Sequence, residues 1–526
     1  MQDRWTRMLG GALCGAACGA ALTLSLTAAQ AQTPPAPAKA PAAQSPTVKA
    51  VPGKPVLLIG GYDLSALGYQ ASEYFVNGTA TSYRLPGAAT GDGQWDVTPA
   101  AKADYATRIV VILPTDAAKF NGTVLVEWLN VTGGQDTPAD WMVAHREIVR
   151  KGYGYVAVSA QKVGVEGGDT PMQAGGKPLK VSSPERYGSL SHPGDAFSYD
   201  IFSQAGALLK APGASGLLGS LMPRRVVALG ESQSAAFLTT YVNAVDPLAK
   251  VYDGFLVHSR FGSSAAVDGS RMIEGPGAMP KHVRFRRDLR VPVLTVITET
   301  DLLGARLSGY HASRQPDTDR LRVWEIAGAA HADGYLFGGS FIDSGLRSNA
   351  ELARIFVPST RSMAGAMDKP YNPGMTQHYV VQAALAGLDG WLRSGKAPAS
   401  TPRLELATGG TEGVAPTLAV DANGLAKGGI RTPWVDVPTM RMTGYGNSGS
   451  FVAMLAGVGE AFDAAKLAQL YPQGKADYVG RFDKALDAAI RAGHILPEDR
   501  AEIAEIAAIN FGAQPQSGPA ATPAAH

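Results

Sequence analysis

The sequence predicts an α/β protein: a mostly parallel sheet with helices on both faces, plus extra helical and loop layers towards the C-terminus. Three observations carry this reading. Short runs rich in Val, Ile and Leu, such as TRIVVIL (107–113), VVAL (226–229) and VPVLTVIT (291–298), have the make-up of strands buried on both faces. Segments with apolar residues at helical spacing separate most of these runs, and strand–helix alternation over such a length builds parallel sheets. The 526 residues, 45% hydrophobic and 17% charged, suffice for one large elaborated domain of ordinary globular composition.

The first 31 residues read as a targeting segment. Arg4 and Arg7 supply a positive start, residues 8–26 are apolar and Gly/Ala-rich, and Ala29-Gln30-Ala31 is a small-residue cleavage site. The protein is therefore expected to be exported, periplasmic or secreted, with no stable membrane insertion after cleavage. Both cysteines, Cys14 and Cys18, lie in this segment, so the mature chain is expected to have no disulfide and to rely on its core. Residues 32–52 are Pro/Ala-rich without periodicity and read as a tether. The folded domain is expected over 53–512, with a disordered tail over 513–526.

Within the domain, residues 55–62 and 107–113 read as strands. The run 122–129 is the next, leading into Asn130-Val131-Thr132-Gly133-Gly134. A helix follows over 140–151, a strand over 153–159 and a helix over 193–210. Residues 224–229 form a strand, Gly230-Glu231-Ser232-Gln233-Ser234 turns the chain, and 235–244 is helical. Strands at 253–258, 291–298 and 321–326 complete the set. Beyond them, 333–376 is irregular, 377–393 is an amphipathic helix, 404–446 is Gly/Pro-rich and 461–510 holds helices. Tyr335, Phe337, Arg431 and Trp434 are candidates to roof a pocket.

The stretch 224–241 concentrates the chemistry. Strand, tight turn with a central Ser, then helix is the setting in which a serine hydroxyl is lifted above a sheet edge as a nucleophile. The usual pattern G-x-S-x-G departs only at Ser234, itself small. A serine nucleophile needs a base, and the base needs an orienting carboxylate. On this scaffold the chain order is Ser, acid, His. His331, in a loop of small residues after the strand 321–326, supplies the base. Asp301, in the loop beyond the strand 291–298, supplies the acid, with Glu299 as the alternative. His258 also ends a strand but precedes the acid, which suits a structural or substrate-contacting role. The oxyanion would be held by the N–H of Gln233 and by one from Val131 or Asn130.

GESQS with its helix, VEWLNVTGG, SHPGDAFSYDIFSQAG, TETD, GAAH, GGIRTP and LYPQGKADYVGRFDKALDAAI together resemble the α/β-hydrolase domain family of exported bacterial esterases. The resemblance runs from about residue 56 to about residue 510. It implies the α/β-hydrolase fold and a serine hydrolase, with Ser232 as nucleophile and His331 as base. It names no substrate and leaves the acid between Asp301 and Glu299.

The formal net charge of +2 argues against nucleic acid as a partner. No phosphate-binding loop, dinucleotide fingerprint or H-E-x-x-H is present, so no metal or nucleotide cofactor is expected. The expected partner is a small-molecule carboxylic ester. A lactonase, amidase or peptidase would use the same groups, and a non-catalytic binding protein would keep the fold without the chemistry.

Overall fold

A computed structural model describes residues 45–170, 172, 175–270, 279–362, 365–408 and 415–513. The targeting segment 1–31, the tether up to residue 44 and the tail from 514 lie outside the described residues. Nine strands form one sheet: β1 (Thr47–Val51), β2 (Tyr69–Arg84), β3 (Thr98–Pro114), β4 (Thr123–Trp128), β5 (Gly154–Val158), β6 (Arg225–Glu231), β7 (Gly254–His258), β8 (Val293–Ile297) and β9 (Leu321–Glu325). Their order is β1-β2-β3-β5-β4-β6-β7-β8-β9. From β5 to β9 every neighbouring pair is parallel, whereas β1, β2 and β3 join antiparallel at one edge.

The parallel strands are apolar throughout because both faces are covered. On one face Leu125, Val227, Leu229, Leu256 and Leu294 pack against the helices Ala139–Arg150 and Gln377–Ser394. On the other, Val124, Val126, Trp128, Val226 and Ala228 meet the helices Ser198–Lys210 and Gln233–Thr240. Successive side chains of one strand point to opposite faces, which is why neighbours along β4 enter different layers. Trp128 packs on Phe202 and Phe237 at ring-centroid distances of 4.8 and 5.3 Å. Aromatic pairs of this kind add roughly 0.5–1.5 kcal/mol each beyond the area they bury.

Two expectations need correcting, and one element was not anticipated. The last residues of the 32–52 tether are not loose: Thr47–Val51 pairs with β2 from Asn77 back to Glu73, because backbone bonding to an existing strand does not require an apolar sequence. The run 55–62 is not a strand. Gly60 there takes φ 120°, and the carbonyls of Val56 and Ile59 accept side-chain donors from Arg108 and Trp141 instead of ladder bonds. The antiparallel ribbon of β2 and the first half of β3 was not anticipated from the sequence, because much of it is half-buried and polar.

Beyond β9 the chain extends the sheet and adds a layer. Ile430 N–H donates to the Glu325 carbonyl and Ala327 N–H to the Ile430 carbonyl, so GGIRTP lies alongside the strand's continuation. Gly428 and Gly429 both have positive φ there, and a Cβ on Gly428 would lie 2.2 Å from the Arg403 carbonyl oxygen. A hairpin of Met440–Thr443 with Val458–Ala461 follows, then the helices Lys475–Arg491 and Arg500–Asn510. Among the described residues no helix is long and apolar enough to cross a membrane.

Candidate active site

Ser232 sits between β6 and the helix Gln233–Thr240 with φ 58° and ψ −116°, a conformation a non-glycine residue rarely takes. Its N–H donates to the His258 carbonyl at 2.9 Å, tying the turn to β7. Tight packing explains the small flanking residues. A Cβ on Gly230 would meet the Ser234 carbonyl oxygen at 3.0 Å, and Ser234 is itself fully buried.

His331 lies in the loop after β9 with its Nε2 2.8 Å from Ser232 Oγ. Its Nδ1 is 2.6 Å from Asp301 Oδ1. Asp301 belongs to the short helix Glu299–Leu303 that follows β8. Its other carboxylate oxygen accepts the Thr298 N–H at 2.7 Å, while the Thr298 hydroxyl accepts the Asp301 N–H at 3.3 Å. This reciprocal helix cap fixes the carboxylate before it meets the histidine. His331 is held from its backbone as well, its N–H donating to Thr300 Oγ1 at 3.0 Å. Burial disfavours the charged imidazole, but the attraction of Asp301, then Glu231 and Asp333, outweighs it and holds His331 above the ordinary imidazole range.

Glu299 does not reach His331. Its Oε1 accepts the Gly328 N–H at 2.6 Å and its Oε2 accepts the Gly444 N–H at 2.8 Å. Burial pushes this carboxyl up to about 7, against the pull of those two amides. Of the two acids in TETD, Asp301 therefore meets the imidazole and Glu299 meets the backbone around it.

The expected oxyanion donors fare unequally. Gln233 N–H, in the first turn of its helix, has no acceptor among the described residues. Asn130 N–H is already committed to the Thr137 carbonyl at 3.0 Å, because the two residues bridge the ends of a tight loop, so the choice of Asn130 is corrected. Val131 N–H donates to the side-chain oxygen of Gln233 at 3.2 Å. Among the described residues that carboxamide is the acceptor of the Val131 N–H, and it comes from the residue after the serine.

The sequence profile described as "Alpha/beta hydrolase domain" matches residues 32–505. The chain belongs to that family. Its fold is similar to that of solved esterases at low identity. A glucuronoyl esterase from Solibacter usitatus is 12% identical over 55% of this chain and 82% of its own, with a TM-score of 0.27. Acetyl xylan esterase 1 from a Thermoanaerobacterium species is 10% identical over 54% and 81%, with a TM-score of 0.27. An esterase from Pyrococcus furiosus is 10% identical over 52% and 88%, with a TM-score of 0.28. No curated protein sequence matches the chain.

Sequence reasoning missed two parts of this α/β-hydrolase site. Glu231, directly before the serine, is 5% exposed and has its Oε1 3.5 Å from His331 Nε2. The other is the pair of partners that holds His258, the buried strand-end histidine already read as structural or substrate-contacting. Asp140 Oδ1 is 3.1 Å from His258 Nδ1. In the orientation that satisfies its partners, Gln377 accepts from His258 Nε2 at 3.1 Å and donates to the Ala330 carbonyl and Asp333. Burial raises Asp140 to about 8 and lowers His258 to about 4, each towards its neutral form. His258 is thus structural: its side chain is clamped and its carbonyl holds the Ser232 N–H. A histidine at a strand end carries no local sign of partners 118 and 119 residues away.

Of the suggested pocket residues, Phe337 shares an apolar cluster with a neighbour of the imidazole. It joins Phe261, Leu307, Leu336, Phe451 and Leu455 in an apolar cluster, and the Phe261 ring lies 5.1 Å from that of His331. Tyr335 stacks on His378, Trp434 is core between Tyr379 and Phe482, and Arg431 pairs with Asp421 and Asp436. Among the described residues no group of three or more His, Cys, Asp or Glu is arranged to hold a metal ion.

Proposed function

We propose that this α/β-hydrolase cleaves a carboxylic ester through an acyl-serine intermediate, with Ser232 as nucleophile, His331 as base and Asp301 as the orienting acid. The observation that carries the reading is the unbroken hydrogen-bonded line Ser232 Oγ, His331 Nε2, His331 Nδ1, Asp301 Oδ1, assembled from three separate segments that follow strands. Ser232 Oγ bonds to the ester carbonyl carbon as Nε2 takes its proton. Negative charge builds on the carbonyl oxygen, where the Gln233 N–H receives it. Val131 N–H joins once the Gln233 carboxamide turns away. The tetrahedral species then breaks its bond to the alcohol oxygen, which leaves with the proton from Nε2. Water, deprotonated by His331, attacks the acyl carbon, and the acid departs as Ser232 recovers its proton.

The apolar cluster around Phe261 and Phe337 suits the acyl group. The targeting segment at residues 1–31 supports action outside the cytoplasm. The test uses mature protein, wild type and Ser232→Ala, with a fluorophosphonate probe and nitrophenyl esters of rising acyl length. Labelling and turnover confined to wild type are expected. Turnover that survives Ser232→Ala overturns the reading.

A further inference from the structure

In a serine–histidine–aspartate line the carboxylate faces Nδ1, and the Nε2 side is left to the serine and the departing alcohol. Here Nε2 has a second carboxylate beside it. Glu231 Oε1 stands 3.5 Å from His331 Nε2, a distance at which the two pair when the ring is protonated. Glu231 does not drift there. It is the last residue of β6, next to the serine whose backbone is locked, and Asn130 Nδ2 donates to its Oε2 at 3.1 Å and to its carbonyl at 3.2 Å. The Asn130 side chain is placed in turn by the Thr132 N–H, which donates to its oxygen at 2.8 Å. The carboxylate is therefore aimed by Asn130, itself held by Thr132, in the same loop expected to hold the oxyanion.

We propose that Glu231 is a second acidic partner of the base: it stabilises the protonated His331 from the Nε2 side and repels leaving groups that carry negative charge near the scissile oxygen. The proposal rests on the assignment of His331 as base. When Nε2 takes the serine proton, the new positive charge lies between Asp301 on one side and Glu231 on the other. Because Nε2 returns that proton to the leaving oxygen, the departing group emerges next to Glu231. A neutral alcohol tolerates this, whereas an anionic one meets like charge in a site with little water to screen it. The other ionisable groups facing the pair are Asp333 near His331, and His258, Asp140 and Asp301 near Glu231. Among the described residues none of them is hydrogen-bonded to Nε2. Burial raises Glu231 itself to about 7, opposed by the pull of His331 and His258.

Glu231→Gln tests this, because glutamine keeps the shape and can still accept from Asn130. The first readout needs no turnover: NMR titration of the histidine imidazoles in intact protein, with His331 assigned through His331→Ala. We expect the His331 midpoint to fall by roughly one pH unit in Glu231→Gln, the size typical of losing an opposite charge at this distance. The second readout is kcat/KM against pH for a neutral ester and for a matched ester with a carboxylate on its alcohol. The acid limb should move down by the same interval, and the preference for the neutral ester should shrink severalfold. An unchanged His331 midpoint overturns the proposal, even in a fully active hydrolase. A shifted midpoint in a protein that hydrolyses no ester keeps the Glu231–His331 coupling and overturns the proposed function alone. Glu231→Asp, which retracts the charge by one carbon, should give an intermediate midpoint.

Discussion

Glu299 and Asp301, two residues apart on one turn of helix, hold the same histidine loop from two sides. Asp301 bonds the ring of His331 at 2.6 Å, and Glu299 bonds the N–H of Gly328, three residues earlier in that loop, at 2.6 Å. One acid thus sets the imidazole's tautomer and the other sets the path of the chain that delivers it. Their exchange for amides should have opposite signatures.

Asp301→Asn keeps the volume and one cap bond to Thr298, but presents an amide to Nδ1. The imidazole then adopts the wrong tautomer, and kcat should fall about 10⁴-fold with little change in KM. Steady-state kinetics on a nitrophenyl ester at pH 8 measure this. A drop of less than tenfold would mean that another group orients the ring.

Glu299→Gln should change how stability responds to pH. The carboxyl, ordinarily near 4.5, is raised to about 7 in the folded chain. Between those values the folded state keeps a proton that the unfolded chain has released, so Glu299 lowers stability as pH rises from 4.5 to 7. Glutamine has no such proton. The stability advantage of wild type over Glu299→Gln should therefore narrow across that window, by about 3 kcal/mol at most. Urea unfolding at a series of pH values reads the gap directly, and a constant gap contradicts the expectation.

Ser232 pays a conformational cost for its position. With φ at 58° it should favour glycine, whereas alanine keeps the strain and loses only the hydroxyl. Both variants should be inactive, and Ser232→Gly should melt higher than Ser232→Ala, by the equivalent of about 1 kcal/mol. Differential scanning calorimetry of the two variants decides it.

Gln233→Ala removes the carboxamide from the Val131 N–H. A substrate oxygen would no longer compete with an internal acceptor, so kcat/KM should rise about fivefold, the worth of one ordinary hydrogen bond. A fall in kcat/KM would show that Val131 does not serve the oxyanion.

Trp434 and Phe337 should separate stability from selectivity. Trp434→Ala opens a cavity among Tyr379 and Phe482 and should cost about 3–5 kcal/mol with the acyl preference unchanged. Phe337→Ala, beside the His331 cluster, should shift the preferred acyl length with a smaller effect on melting. Equal acyl profiles for both variants would remove Phe337 from the pocket.

What the sequence made legible follows from how local each signal was. Ser232, Asp301 and His331 each follow a buried apolar run, so strand, loop and chain order were enough to name three residues that the fold brings within hydrogen-bonding distance. The choice of Asp301 over Glu299 needed side-chain direction, which a cap by Thr298 decides and residue spacing does not. Asn130 and Val131 were indistinguishable as donors because the bridge from Asn130 to Thr137 is a property of the folded loop. β2 escaped notice because YQASEYFVNGTATSYR is polar and half-exposed, while 55–62 misled because apolar residues near Gly60 and Gly61 imitate a strand. Glu231 and the pair Asp140–His258 join residues about 100 positions or more apart, and no short-range pattern marks them.

The bond from Gly444 to Glu299 spans 145 residues, and Thr300 Oγ1 donates to the Gly444 carbonyl across a similar span. The turn that precedes and carries Asp301 is thus fastened by a segment made long after it. A chain emerging N-terminus first would display its serine, aspartate and histidine well before that fastener exists. A nascent or C-terminally clipped product lacking Gly444 would carry Ser232, Asp301 and His331 without that fastener.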